Sequence, residues 1–419
     1  MANALARFGA QHLELGDHNR RLTAMEGLRG LAILLVFVCH YNGIVGEPLG
    51  LPVAVGFVMG VIGHFGASGV DLFFLLSGFL IYRAALRHRL NFVAFMRRRL
   101  ERIYPTFLVV FILYLGLFAL HLAPARIPHG FVSGGRYIIE NLLFLPGIFD
   151  IPAFISAAWS LSYEWFFYLT IPLIVHGFQL HRWTRPSRML FFAIAVTAYF
   201  AIVLVFGSHF RTFQFQDGTR IRMIMFASGI LVYEALESKR LRSLLTVPRE
   251  YGLVAVAIAC TASLLFMYAM KSAGVSADGE WTTQTGTLRV IPIFIGCAAI
   301  GLVVLRPGGI LVKAFSTDWL RWTGNISYSF YLIHSVPLHL VTVVIAHSPL
   351  RHVNALALFV LALPFTLALV YLCSAVLFVC VEKPLSLRPR KARSPQPAAN
   401  DVRPVAARVV NASAVDVPS

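Results

Sequence analysis

Apolar residues fall along this chain in blocks of about twenty, at 28–45, 65–86, 104–122, 157–178, 189–207, 221–237, 250–270, 287–305, 324–346 and 354–381, separated by short polar stretches. At a rise of about 1.5 Å per residue, blocks of this length suit the ~30 Å hydrocarbon core of a bilayer. A backbone in lipid must pair its own polar groups, so the blocks are expected to be helices and not open sheet. The pattern predicts an all-α, polytopic integral membrane bundle of ten transmembrane helices. The stretch 137–149 reads as a re-entrant or interfacial piece. Residues 1–27 are mixed polar and no small-residue cleavage pattern follows the first block, so they are expected to form an arm and not a signal peptide.

The basic residues give the direction of threading. With the N-terminus cytoplasmic, the inner segments hold 26 Lys or Arg and the outer loops 6. The excess holds at every successive loop, whereas one missed span would invert everything after it. Both termini are therefore expected in the cytoplasm. The chain divides into an N-terminal arm (1–27), a ten-helix membrane domain (28–385) and a tail (386–419). That tail is rich in Pro, Ala, Arg and Ser and is expected to be a disordered basic extension near the membrane surface. No internal repeat is visible, which counts against the paired halves of many secondary transporters.

Composition agrees. The chain is 58% apolar and only 13% charged, against about a quarter charged for a soluble protein, which excludes a water-surrounded globule. A net charge of +17 belongs to loops beside anionic lipid and gives no reason to invoke nucleic acid. The five cysteines all lie in apolar blocks without CxxC spacing, so reduced, buried thiols and no metal are expected. Nothing in the sequence bears on oligomeric state.

Ionisable residues inside a membrane need partners or a task. Arg29 and His40 lie eleven residues apart in the first block, close to three helical turns, which puts them on one face about 16 Å apart along the axis. His40 is the side chain there that can take and return a proton near neutral pH; by position it could equally be a packing histidine, and Arg29 a snorkelling anchor. Asp71, in Gly-Val-Asp71-Leu-Phe-Phe, and Glu164, in Trp159-Ser-Leu-Ser-Tyr-Glu164, enter from the outer side to similar depth, able to orient an imidazole or simply to pack helices. His334, about 15 Å into the ninth block, joins them from the inner side. Arg99 and Arg102, three apart in an amphipathic segment expected along the inner surface, could clamp a phosphate or act as a positive-inside anchor.

In order and placement these residues resemble the membrane-bound acyltransferase family 3, whose members O-acylate O-antigen, exopolysaccharides, Nod factors and some macrolides. The resemblance rests on Arg29-x10-His40, Gly69-Val-Asp71-Leu-Phe-Phe with Leu76-Ser-Gly-Phe-Leu-Ile, Arg99-x-x-Arg102-Ile-Tyr-Pro105, Trp159-Ser-Leu-Ser-Tyr-Glu164, Ile326-Ser-Tyr-Ser-Phe-Tyr331-Leu-Ile-His334 and Val381-Glu382-Lys-Pro384. It implies an enzyme in which His40 is catalytic, with Asp71 and Glu164 as the carboxylates that could hold its imidazole. Arg29, Arg99 and Arg102 would bind the donor, acyl-CoA and in particular acetyl-CoA, whose pantetheine arm would span the distance to His40. Trp159, Tyr331 and His334 would bind the acceptor, a glycan hydroxyl or other hydroxyl reaching the outer side past loops 46–64 and 123–156. The implied location is a bacterial cytoplasmic (inner) membrane. Many members carry two acidic residues at the fourth-helix motif, whereas here Trp165 follows Glu164. The hydrolase-like domain of some members has no counterpart in this sequence, and a stand-alone enzyme is expected. The alternative from a different class is a proton-coupled transporter of a polar solute, in which the same residues would form a proton relay.

Overall fold

The computed structural model describes residues 7, 9–14, 20–51, 53–86, 91–120, 127–149, 151–206, 220–238, 249–272, 283–306 and 310–387. The tail expected to be disordered lies outside them beyond Leu387, as do parts of the N-terminal arm and of the loop 123–156. The described residues form an all-helical fold: α1 (Arg20–Tyr41), α2 (Val53–Ala85), α3 (Phe92–Ala119), α4 (Phe131–Leu142), α5 (Trp159–Gly177), α6 (Arg185–Phe206), α7 (Met225–Glu237), α8 (Arg249–Ser272), α9 (Thr283–Val304), α10 (Ile310–Phe315), α11 (Asp318–Asn325), α12 (Ser327–Ile333), α13 (Ser335–Ala346) and α14 (Ala355–Leu377). A π-helical segment, Phe378–Ser386, continues α14.

Among the described residues, five helical segments are long and apolar enough to cross a membrane: Thr23–Leu49, Val58–Ala85, Phe92–Ala119, Arg185–Phe206 and Ala355–Ser386. The bent pair α12–α13 makes a sixth if counted as one span, and Gly252–Leu265 and Leu288–Val304 are shorter apolar helices. The chain is thus a multi-pass membrane protein.

Several boundaries differ from those expected. Helix α2 begins at Val53, so much of the stretch 46–64 is helix and not an entrance loop. The amphipathic segment with Arg99 and Arg102 is continuous with the third block in one 28-residue helix, about 42 Å long and so longer than the hydrocarbon core. Asn91 starts it, its side chain accepting from the Ala94 N–H at 2.9 Å. The ninth block is not one straight helix: α12 and α13 meet at His334 with a 42° bend. Pro337 explains the break, since its ring lacks an N–H and clashes with the carbonyl four residues back, that of Ile333. Cys380, expected to be buried, is exposed, while Cys297 is buried and all five thiols are free.

The centre of the fold is α1, packed between α2 and α11. A side chain at Gly69 would meet the Ala32 carbonyl at 2.3 Å, and one at Gly66 would meet the Leu35 carbonyl at 2.8 Å. The two helices therefore run antiparallel in backbone contact, which requires small residues there. A buried aromatic stack, Phe74 on Phe226 (4.5 Å) and Phe226 on Phe167 (4.2 Å), joins α2, α7 and α5. Glu234 ties α7 to α2 and α6, accepting from the Tyr82 hydroxyl at 2.7 Å and from Arg188 Nη2 at 3.1 Å. At the start of α11, Arg321 is shared by Glu14, Glu26 and Asp318. Burial opposes its charge, but the carboxylates of Glu26 and Glu14 prevail and raise its pKa above the ordinary arginine value.

Candidate functional site

A cavity of about 280 Å³ opens among α1, α2, α3, α5 and α12. Arg29, Arg99 and Arg102 line it together, although they lie on two helices 70 and more residues apart in the chain. Helix α3 supplies Arg99 and Arg102 because residues three apart share a helix face. The Arg99 guanidinium lies over the rings of Phe95 (5.3 Å) and Tyr168 (5.5 Å), and its Nε is buried without a hydrogen-bond partner. Cation–π contact of this kind holds the charge while leaving guanidinium donors unspent.

Glu164 lines the same cavity from α5. Its Oε1 accepts from the Ser77 hydroxyl at 2.9 Å and its Oε2 from the Tyr168 hydroxyl at 2.8 Å. The charges acting on Arg29 are those of Arg102, Glu382 and Glu164. Three guanidiniums against two carboxylates leave an excess of positive charge in a low-dielectric setting, where an anionic ligand is strongly attracted. Phe73, Ser160 and Tyr331 line the cavity too, and the Tyr331 hydroxyl donates to the Ala157 carbonyl at 2.8 Å and lies 2.8 Å from Ser160 Oγ.

His40 and His334 are not among the lining residues, but the His334 ring lies 6.0 Å from that of Tyr331. Their rings meet edge to face at 4.8 Å. His40 is half-buried and His334 fully buried. His40 Nδ1 is 2.9 Å from the Val36 carbonyl, and His334 Nδ1 is 2.7 Å from the Tyr331 carbonyl. A carbonyl only accepts, so each Nδ1 carries the proton and each neutral ring keeps its lone pair at Nε2.

Of the residues expected at the site, Arg29, Arg99, Arg102, Glu164 and Tyr331 line one cavity, and His40 and His334 meet each other. Neither carboxylate bonds to the imidazole: the group that fixes the His40 tautomer is the carbonyl of Val36 on its own helix. Glu164 is held by Ser77 and Tyr168 as above. Asp71, fully buried, is paired with Arg222, whose Nη1 donates to its Oδ2 at 2.9 Å and to the Ala67 carbonyl at 3.0 Å. Trp159 stands outside the cavity lining, edge-on to Phe74 at 6.5 Å and to Tyr163 at 5.5 Å.

Four participants were not singled out from the sequence: Ser77, Tyr168, Arg222 and Glu382. Ser77 and Glu382 sit inside quoted motifs, so position was the available signal. Arg222 begins an apolar block, where it reads as an interfacial anchor.

Residues 22–375 match the sequence model of the acyltransferase-3 family, described as an acyltransferase domain. The chain belongs to the acyltransferase-3 family. It is 29% identical over 331 residues to Acyltransferase MdmB of Streptomyces mycarofaciens, covering 75% of this chain and 78% of that protein. It is 27% identical over 344 residues to Peptidoglycan O-acetyltransferase OatA of Listeria monocytogenes, covering 77% of this chain and 50% of the relative. With O-acetyltransferase OatA of Staphylococcus aureus the identity is 25% over 338 residues, 75% of this chain and 50% of the relative. The chain thus spans half the length of these OatA proteins. No solved structure matches it. As a member of the acyltransferase-3 family it is an acyltransferase of O-acetyltransferase type, and its chemistry requires an acyl donor and a hydroxyl acceptor.

Proposed function

We propose that this acyltransferase moves an acyl group, acetyl above all, from cytoplasmic acyl-CoA to a hydroxyl of a carbohydrate such as O-antigen or exopolysaccharide in a bacterial inner membrane. The observation that carries the reading is the convergence of Arg29, Arg99 and Arg102 on one cavity that extends to Tyr331, close to where His334 meets His40. The donor's phosphates suit three guanidiniums with donors to spare. The tail that bears the thioester needs a path of roughly the 16 Å that separates Arg29 from His40 along α1. Ten spans with both termini cytoplasmic, the threading that the loop charges favour, would put the arginines on the side where acyl-CoA is made.

In this reading His40 is the general base. Its Nε2 lone pair takes the proton of the acceptor hydroxyl as the new C–O bond forms, the C–S bond breaks, and the same proton passes to the departing thiolate. Glu164 tempers the positive charge of the donor cavity, and Asp71, locked to Arg222, supports α2 and makes no contact with the imidazole. Trp159 and Tyr331 belong to the acceptor side. A carbohydrate acceptor draws support from the Listeria relative, a peptidoglycan O-acetyltransferase.

The test is transfer of label from acetyl-CoA to glycans and lipids in inside-out vesicles carrying wild type, His40→Ala, or the double variant Arg99→Ala and Arg102→Ala. Labelled glycan with wild type and none with His40→Ala is the expected result. Flux of a polar solute with no acyl-CoA consumed would overturn the proposal in favour of a transporter.

A further inference from the structure

We propose that Ser327 is a binding residue for the donor, its hydroxyl donating to the diphosphate of acyl-CoA. This deepens the reading of the arginine cavity as the donor site and rests on it. Among the described residues, six hydroxyl side chains line that cavity, and five of them are engaged inside the protein. Ser77 and Tyr168 donate to Glu164, and Tyr328 donates to the Ile103 carbonyl at 2.8 Å. Tyr331 donates to the Ala157 carbonyl, which leaves its oxygen to accept from Ser160. The sixth is Ser327, 1% exposed, whose Oγ is buried with no hydrogen-bond partner. A buried hydroxyl without a partner costs free energy and calls for an explanation. A ligand that brings an acceptor into the cavity supplies one.

Neighbouring contacts place Ser327 beside the arginines. It opens α12 three residues after Gly324, where a Cβ would lie 3.0 Å from the Gly30 nitrogen, so this part of the chain lies against α1 at the level of Arg29. The next residue, Tyr328, reaches α3: its hydroxyl bonds the carbonyl of Ile103, the neighbour of Arg102, and the charge of Arg102 acts on it. Ser327 therefore sits where α12 meets both helices that carry the guanidiniums. Ser329, on the same short helix, is already tied to Glu382 through its N–H and its hydroxyl.

The chemistry fits a phosphate. Its oxygens only accept hydrogen bonds, and a hydroxyl adds a short, directed donor to the planar forks of the arginines. The roughly 16 Å between Arg29 and His40 along α1 matches the arm that separates the diphosphate from the thioester. That reach puts the diphosphate, and not the 3′-phosphate, next to Ser327.

The experiment uses the full chain in nanodiscs and compares wild type with Ser327→Ala and Ser327→Cys, measuring binding of coenzyme A and of 3′-dephospho-coenzyme A. Ser327→Ala should weaken both about tenfold, and the KM for acetyl-CoA should rise with little change in kcat. Its melting temperature without ligand should hold or rise, because alanine removes a buried hydroxyl that bonds to nothing. Ser327→Cys, similar in size but a weak donor, should bind with intermediate affinity. Equal affinity of wild type and Ser327→Ala for coenzyme A overturns the proposal. So does a loss seen with coenzyme A and absent with the dephospho form, which would put the hydroxyl on the 3′-phosphate. A Ser327→Ala protein that melts lower than wild type, or fails to fold, has lost a structural hydroxyl and overturns it as well. Wild type that binds no coenzyme A overturns the donor-site reading itself, and this assignment with it.

Discussion

Glu382 and Ser329 join the C-terminal helix to the broken helix that holds the second histidine. The Glu382 Oε2 accepts both the Ser329 N–H, at 3.1 Å, and the Ser329 hydroxyl, at 2.6 Å, in a fully buried setting. Helix α12 begins just after α11 ends, and the carboxylate satisfies a donor that this fresh start leaves without an intrahelical partner. The other oxygen, Oε1, is buried with no hydrogen bond, and the charges of Arg102 and Arg29 act on the group. One residue thus braces α12 and shapes the field of the arginine cavity.

Glu382→Ala strands the Ser329 N–H and hydroxyl away from water, and a buried polar group left unmade costs about 1–3 kcal/mol. The melting temperature in detergent should fall accordingly. Glu382→Gln keeps an acceptor of the same shape and should lose less stability than alanine does. Equal melting temperatures for all three proteins would show that the contact is not stabilising.

Replacing Arg99 or Arg102 with alanine should raise the KM for acetyl-CoA about tenfold each, the effect of losing roughly 1.4 kcal/mol of charge-assisted bonding, with a smaller change in kcat. Arg99→Lys should recover only part of the loss, because a lysine cannot present a planar fork or lie over Phe95 and Tyr168 as the guanidinium does. Titration of binding with coenzyme A lacking the acyl group separates phosphate recognition from chemistry.

How much of this was legible in the sequence depends on the range of the interaction. Arg29 and His40 share a helix, so their separation followed from helical rise alone, and Arg99 and Arg102 declared a common face in the same way. The ten apolar blocks all fall on helix in the described residues. The bend at His334 was available in Pro337 but hidden by reading 324–346 as one apolar block. The partner of Asp71 could not be read: Arg222 lies 151 residues away on a short 3-10 turn ahead of α7, and a local pattern contains nothing about such a pairing. The hydrogen bond that sets the His40 tautomer is local but involves a main-chain carbonyl, which every residue possesses and no side-chain motif records.

Arg222→Ala removes the hydrogen-bonded partner of a buried ion pair and leaves the Asp71 carboxylate at membrane depth with only the more distant charge of Arg289. Breaking such a pair costs about 3–5 kcal/mol, whereas replacing both charges by neutral groups of similar size costs far less. The double variant Asp71→Asn with Arg222→Gln should therefore be more stable than Arg222→Ala alone. Thermal unfolding of wild type, Arg222→Ala and the double variant in one detergent reads the order, and a double variant no more stable than Arg222→Ala would show that the pair does not interact.

The docking of α1 on α11 depends on backbone contact more than on any side chain. A Cβ at Gly324 would lie 1.8 Å from the Glu26 carbonyl, and one at Gly30 would lie 2.1 Å from the Leu320 carbonyl. Both obstacles are main-chain atoms, so no rotamer change relieves them and the helices must separate. Gly324→Ala should accordingly lower the melting temperature and reduce acyl transfer as well, since α1 holds both Arg29 and His40. Gly116, on α3, has open space where its Cβ would point, and alanine there removes the helix penalty of glycine, about 1 kcal/mol. Gly116→Ala should leave activity intact and stability unchanged or higher. Measuring the two alanine variants together distinguishes steric exclusion at a helix contact from a general intolerance of substitution.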